Sequence, residues 1–232
     1  MKHSPETVCF SREIRSRIEQ LPAPDTPAVR MIRREFSCRL AGAAPDSVVQ
    51  LALRLLTENS DLLRFFSYEI VSHHRLAWEQ LTTADLLKFG KELNSWAAVD
   101  SFAMLLSGPM WAQGRLSDKL IATWARSKDR WWRRTALVST VALSRRGDPD
   151  DLRRVARICA WLAPDRDDMV VKALSWALRE MAKKHPAEAG NFIAEHRQAL
   201  SSRVTREVSN KLTTGLKTPH HRQTSRAMGK LK

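Results

Sequence analysis

Three tryptophan-bearing segments hold the residue types with chemical potential. They are Asn94-Ser95-Trp96-Ala97-Ala98-Val99-Asp100, Arg130-Trp131-Trp132-Arg133-Arg134-Thr135-Ala136 and Lys172-Ala173-Leu174-Ser175-Trp176-Ala177-Leu178-Arg179-Glu180. On a helix, Trp96 and Asp100 are four residues apart, about 40° from eclipsed, so an aromatic plane lies beside a carboxylate one turn away. Trp176 has Lys172 one turn before it and Arg179 just under one turn after, an arrangement suited to a sugar or base beside a phosphate backbone. Arg133 and Arg134 are adjacent and cannot share a helix face, so at most one points into a common groove. There an arginine can hold a phosphate bidentately, as a lysine cannot. Each residue also has a plainer reading: a core tryptophan with a surface aspartate, an arginine in a surface salt bridge, a tryptophan packed in the core. Val99, Phe102, Ala103 and Leu106 supply core packing on the Trp96 helix, so Trp96 need not be core.

The charge balance favours an anionic partner. The 232 residues carry 39 Lys+Arg against 25 Asp+Glu, a formal charge of +14, and the isoelectric point is near 10.4. Such a chain is attracted to nucleic acid or an anionic membrane surface, and charge alone does not choose between them. The segment from Arg115 to Arg134 has seven Lys/Arg against two Asp, and Arg203 to Lys232 has eight Lys/Arg against one Glu. The second of these, which includes Lys211, suits salt-sensitive phosphate contacts or simple solubilisation. No apolar signal region follows Met1 and no run of about 18 apolar residues occurs, so a cytoplasmic location without membrane insertion is expected.

Cofactor chemistry finds little support. Cys9, Cys38 and Cys159 are widely spaced, with no C-x-x-C pair and no neighbouring histidine to complete a zinc site, so they read as reduced thiols. His73-His74 reads as a capping or solvated pair, because adjacent helical residues point about 100° apart. Neither G-x-G-x-x-G nor G-K-[ST] occurs among the eight glycines, so no nucleotide cofactor is expected.

The elements that must position these residues are helices. Apolar residues recur at three and four, as in Val48, Leu51, Leu55 and then Leu62, Phe65, Phe66, Ile70. Boundaries fall at Ala44-Pro45-Asp46, Gly108-Pro109, Gly147-Asp148-Pro149-Asp150, Ala163-Pro164-Asp165 and His185-Pro186, where proline fits a first helical turn and Asp or Ser caps it. The pairs Ile121/Ile158, Trp124/Trp161, Ala136-Leu137/Ala173-Leu174 and Pro149/Pro186 share one offset, which points to a two-helix repeat a little shorter than the roughly 40 to 47 residues of HEAT-type units. The expected fold is all-α, a right-handed superhelical stack of HEAT-like two-helix repeats with a concave basic groove, and the alternative is an irregular helical bundle. One domain spans residues 1–218, and residues 219–232 read as a basic flexible tail.

Taken in order, Trp96-x-x-x-Asp100, Trp132-Arg133-Arg134-x-Ala136 and Lys172-Ala173-x-x-Trp176-x-Leu178-Arg179-Glu180 resemble the bacterial DNA alkylation repair glycosylases built from HEAT-like repeats. The similarity runs from about Val29 to Lys217. It implies a monofunctional enzyme that removes N3- and N7-alkylated purines from double-stranded DNA with no metal or organic cofactor, and without fully flipping the base, unlike most glycosylases. Trp96, Asp100 and Trp176 would form the catalytic cleft. Arg134 would contact the DNA backbone near the lesion. Beside the resemblance, the basic segments themselves offer Arg130, Arg133, Lys172, Arg179 and Lys211 as further DNA contacts, on a protein expected to be monomeric. The chain departs from the family at Ser95 and at Asp168-Met169, where the family has more aromatic character. An alkylated purine already carries positive charge and leaves without a strong general acid, so one carboxylate suffices to stabilise the cationic sugar and orient water. The competing functions are a non-catalytic protein that binds distorted or branched DNA, which needs the basic surface but not Asp100, and a protein-interaction scaffold.

Overall fold

The structure is a computed structural model that describes residues 5–23, 25–57 and 60–219. Among these residues the chain is helical throughout, with no strand. In order come α1 (Pro5–Glu19), α2 (Thr26–Arg39), α3 (Pro45–Leu55), α4 (Asp61–Ser72), α5 (Arg75–Gln80), α6 (Thr83–Phe89), α7 (Trp96–Phe102), a π-helical segment (Ala103–Ser107), α8 (Gly108–Ala112), α9 (Asp118–Ala125), α10 (Arg130–Arg146), α11 (Pro149–Leu162), α12 (Asp168–Lys184), α13 (Pro186–Glu195) and α14 (Ser202–Thr214).

Side-chain caps fix where these helices begin. Ser60, Ser95, Asp129, Asp167 and Ser201 each accept a hydrogen bond from a backbone N–H of the first turn of α4, α7, α10, α12 and α14, satisfying a donor that would otherwise be orphaned. Proline occupies the first turn of α2, α3, α11 and α13, where its missing N–H costs nothing. The His73-His74 pair does capping work. His74 Nδ1 accepts from Ala77 N at the start of α5, and His73 Nδ1 lies 2.8 Å from the Glu69 carbonyl at the end of α4.

The helices that carry the three tryptophan segments lie side by side. Asp61 meets Ser95, and Tyr68 meets Phe102 edge to face, which sets α7 parallel to α4. Asp100 meets Arg134 and Ser107 meets Ser139, which sets α10 parallel to α7 and its continuation. Arg134 reaches Met169 and Arg145 approaches Glu180, so α12 runs parallel to α10. Asp168 meets Arg203 and Ser175 meets Glu207, adding α14 in the same sense. Helices α9 and α11 pair beside this row, joined by Arg154 and Arg157 on Asp118.

The residues that share one offset in sequence occupy matching places. Ile121 and Ile158 are buried on α9 and α11, and Ala136-Leu137 and Ala173-Leu174 are buried on α10 and α12. Trp124 is buried, while Trp161 is partly exposed with the Arg126 guanidinium 4.0 Å from its ring centre.

Two expectations from sequence are corrected. Gly108-Pro109 is no boundary: helix continues from Trp96 to Ala112 through the π-helical segment, and Gly108 is itself helical at φ −63°, ψ −51°. Proline inside a helix removes one hydrogen bond and clashes with the preceding turn, and a π-turn placed just before it relaxes that conflict. On α4 the buried stripe runs through Leu63, Phe66 and Ile70, while Leu62 and Phe65 only flank the core. Gly108 also lets α10 approach, since a Cβ there would stand 3.0 Å from the Ser139 carbonyl oxygen, and it would stand 2.8 Å from the Ala103 carbonyl oxygen of the π-helical turn before it. Both obstacles are backbone. Gly108→Ala is therefore expected to destabilise the fold by about 1–3 kcal/mol, read as a lowered melting temperature; an unchanged melt would show that the two helices separate freely.

Among the described residues, no helix is long and apolar enough to cross a membrane. The stretch from His220 to Lys232, which contains most of the expected tail, lies outside the described residues.

Candidate active site

The site is built from the N-terminal turn of α7. Ser95 accepts from Ala98 N at 3.0 Å, and its hydroxyl donates to the Asp61 carboxylate at 2.8 Å. One residue therefore starts α7 and ties it to α4. Trp96 follows as the first helical residue, at the end of the element where no preceding turn covers it, and it is 58% exposed. An indole this open is not part of the core, where large aromatics are otherwise highly buried.

One turn further, Asp100 turns inward and meets Arg134 from α10. Arg134 Nε donates to Oδ1 at 2.9 Å and Nη2 to Oδ2 at 2.8 Å, a two-pronged pair, while Nη1 donates to the Met169 carbonyl at 2.6 Å. Arg134 is only 6% exposed. Burial pushes the Asp100 carboxyl above its ordinary range, and the Arg134 hydrogen bond and charge pull against that rise. The result is one desolvated carboxylate, fixed in orientation, beside one exposed indole.

Trp176 stands seven residues along α12 from Met169, on the same face and about 10 Å further along the axis. Its ring is partly buried, and Nε1 donates to Glu180 Oε1 at 3.3 Å. That bond runs to the residue one turn nearer the C-terminus of α12, so Trp176 is placed along the helix from the Arg134–Met169 contact rather than against Asp100. Trp132, by contrast, is structural: its ring packs 4.9 Å from that of Trp124 and 6.3 Å from Phe102.

The cations named from sequence divide into two groups. Arg130 and Lys172 are half-exposed at the N-terminal ends of α10 and α12, Arg130 paired with Asp167 at 3.4 Å and Lys172 with Asp168 at 2.6 Å. The others bond within the structure, Arg133 and Arg179 as struts between elements and Lys211 at the surface end of its own helix. Arg133 Nε donates to Asp165 at 2.7 Å, and Nη1 donates to the Ser127 and Lys128 carbonyls, holding the turn before α10. Arg179 is largely buried between α12 and α14, with Nε 3.3 Å from Ser175 Oγ and 3.9 Å from Glu207. Lys211 donates to the Gly215 carbonyl at the end of α14. Arg134, expected to face phosphate, is placed against Asp100 instead, and that pairing was not anticipated from sequence. The acids that pair with these cations, Asp165, Asp167 and Asp168, were missed as well; the available signal was their position around the start of α12, where carboxylates accumulate.

The thiols lie elsewhere. Cys9 and Cys38 are exposed, and Cys159 is buried, which pushes its thiol up to about 12. Among the described residues no three His, Cys, Asp or Glu side chains gather as a metal-binding group.

A family profile described as DNA alkylation repair enzyme matches residues 23–212, a span that includes Trp96, Asp100, Arg134 and Trp176. The chain belongs to the DNA alkylation repair enzyme family. The fold agrees. A solved structure titled "Predicted DNA alkylation repair enzyme from Enterococcus faecalis" superposes with a TM-score of 0.68 at 16% identity, covering 92% of this chain and 98% of that one. No curated protein matches the chain in sequence.

The exposure of Trp96 lets a contact role be tested apart from stability. Trp96→Ala is expected to change stability by no more than about 0.5 kcal/mol, as at other open surface positions. Repair of alkylated DNA should fall about tenfold to a hundredfold, the effect of losing one stacking or cation–π contact of roughly 1–3 kcal/mol. A melt shifted by several degrees with repair intact would make Trp96 a packing residue.

Proposed function

We propose that this enzyme is a monofunctional DNA glycosylase that hydrolyses the N-glycosidic bond of cationic N3- or N7-alkylated purines in double-stranded DNA, acting as a monomer in the cytoplasm. The observation that carries this reading is the pairing of an exposed indole, Trp96, with a carboxylate one turn away that is desolvated yet held in place by Arg134. Membership of the DNA alkylation repair family supports the substrate class.

The chemistry needs little more. As the bond between C1′ and the purine nitrogen breaks, its electron pair goes to the purine and cancels the charge that alkylation placed there. Positive charge then develops on the deoxyribose. The Asp100 carboxylate stabilises it by Coulomb attraction, which is stronger here than in water because the carboxylate is largely removed from solvent. The same carboxylate accepts a proton from the attacking water, whose oxygen bonds to C1′ and leaves an abasic site. The Trp96 face, and that of Trp176 where it is open, lies against the sugar and favours its cationic form. Arg134 keeps both carboxylate oxygens oriented. Arg130 and Lys172, half-exposed on the same row of helix ends, hold the flanking phosphates.

The test is release of free 7-methylguanine and 3-methyladenine from methylated duplex DNA by purified protein, beside Asp100→Asn. Release by the wild type and its loss in the variant support the assignment. DNA binding without release by either protein would leave a protein that recognises distorted DNA by shape and charge.

A further inference from the structure

A cavity of about 330 Å³ opens where the end of α3, the start of α4 and the turn after α6 meet. Four cations line it, Arg54, Arg64, Lys88 and Lys91, over an apolar floor that includes Leu53 and Leu56. The lysines have acidic neighbours: Lys88 meets Asp85 at 2.8 Å and Lys91 meets Glu92 at 3.4 Å. The arginines do not. Arg54 Nε donates to the neutral Ser11 hydroxyl at 2.9 Å, and Arg64 Nη1 donates to the Lys91 carbonyl at 3.2 Å. Neither guanidinium has a carboxylate partner among the described residues. Arg64 is only 3% exposed, and its buried Nε makes no hydrogen bond.

A desolvated guanidinium such as Arg64, with no counter-charge bonded to it among the described residues, is costly to maintain. An anion in the adjoining cavity relieves that cost, and a phosphate offers several acceptor oxygens to cations converging from different sides. The cavity lip carries a second sign of function: Glu92 has φ +60°, the one positive φ at a non-glycine position among the described residues. Such backbone persists where the surroundings impose it, often at ligand-binding positions. The same turn leads from Lys91 to Ser95, which is bonded to Asp61, and then to Trp96.

We propose that this cavity is a phosphate site, filled by an internucleotide phosphate of the DNA strand that lies against Trp96. The choice of DNA as the source rests on the DNA-facing role given to Trp96 above. The chain path agrees with it. Lys91 lines the cavity, and the same turn ends at Ser95, whose hydroxyl is bonded to Asp61 at the start of the helix that carries Arg64, immediately before Trp96.

The experiment is a salt titration of duplex affinity, on unmodified and methylated DNA, for the full-length wild type, Arg54→Gln, Lys91→Gln and the double variant. Arg153→Gln, which removes an exposed charge on α11, serves as the control. Loss of one phosphate contact should lower the slope of log affinity against log salt by about 0.9 and weaken binding roughly tenfold, with the control unchanged. In parallel, inorganic phosphate should raise the melting temperature of the wild type, compared with chloride at equal ionic strength, and leave the double variant unmoved. Arg64→Met tests the buried guanidinium, and its melt should be insensitive to phosphate even if its fold is weakened. An unchanged slope in a folded double variant overturns the proposal. Phosphate-dependent melting with an unchanged DNA slope overturns DNA as the source and assigns the cavity to free phosphate. Failure of the glycosylase reading looks different: the wild type releases no base while the cavity variants still lower the slope.

Discussion

Replacing Asp100 with asparagine is expected to reduce release of alkylated purines by about a hundredfold to a thousandfold, the range seen when one charge-stabilising or proton-accepting group is removed from an active site. Affinity for duplex DNA should be unchanged or slightly higher, because a negative charge is withdrawn from a surface that meets phosphates. The amide is nearly isosteric and can still accept one hydrogen bond from Arg134, so the fold should survive. The wild-type pH profile supplies a second readout. Burial holds the Asp100 carboxyl above the ordinary aspartate range, so the carboxylate is complete only above that raised value and excision falls as pH drops through it. The acid limb therefore lies at higher pH than a solvated aspartate would give, and Asp100→Asn should abolish it. Stability responds in the opposite sense. The folded protein holds this proton more tightly than the unfolded chain, so the contribution of Asp100 declines as pH rises from the ordinary value through the raised one. Wild-type turnover by the asparagine variant would remove Asp100 from the mechanism.

Periodicity and capping residues made the helices legible in the sequence, because prolines and short polar caps act locally and mark first turns wherever they occur. The α7–α8 continuity was not legible. Glycine followed by proline usually ends a helix, but here a π-helical turn just before the pair accommodates the proline, and α10 packs close to Gly108 at Ser139. Within the site, the four-residue spacing of Trp96 and Asp100 was readable because it depends on a single helix. The partner of Asp100 was not, since Arg134 is 34 residues away and its neighbour Arg133 is chemically identical. What separates the two arginines is a rotation of about 100° about α10, which sends one toward Asp100 and the other toward Asp165. Charge counting had the same blind spot: a net excess of Lys/Arg reports attraction to polyanions but not which cations are already paired. Arg133 and Arg179 entered the basic tally and are spent inside the structure on Asp165 and Ser175.

The pairing gives Arg134 a testable role distinct from phosphate contact. Arg134→Ala removes both the hydrogen bond and the charge that hold the Asp100 pKa down, leaving desolvation unopposed, so the acid limb of excision should move to still higher pH. Excision at neutral pH should fall further than the loss of a single DNA contact would explain, because less of the carboxylate is ionised and its orientation is free. Stability should fall too. Removing one partner of a buried pair costs about 3–5 kcal/mol, and the lower end applies here because Asp100 keeps 19% of its side chain exposed. Arg134→Lys restores a charge but not the two-pronged geometry, and should return part of the pH shift with little of the rate. The decisive comparison is a double-mutant cycle with Asp100→Asn. If Arg134 acts through Asp100, its substitution in the Asp100→Asn background should cost far less excision than in the wild type. If the two losses simply add, the acid limb stays in place and the salt slope of DNA binding drops by about 0.9, then Arg134 serves the phosphate backbone and its bond to Asp100 is broken when DNA binds.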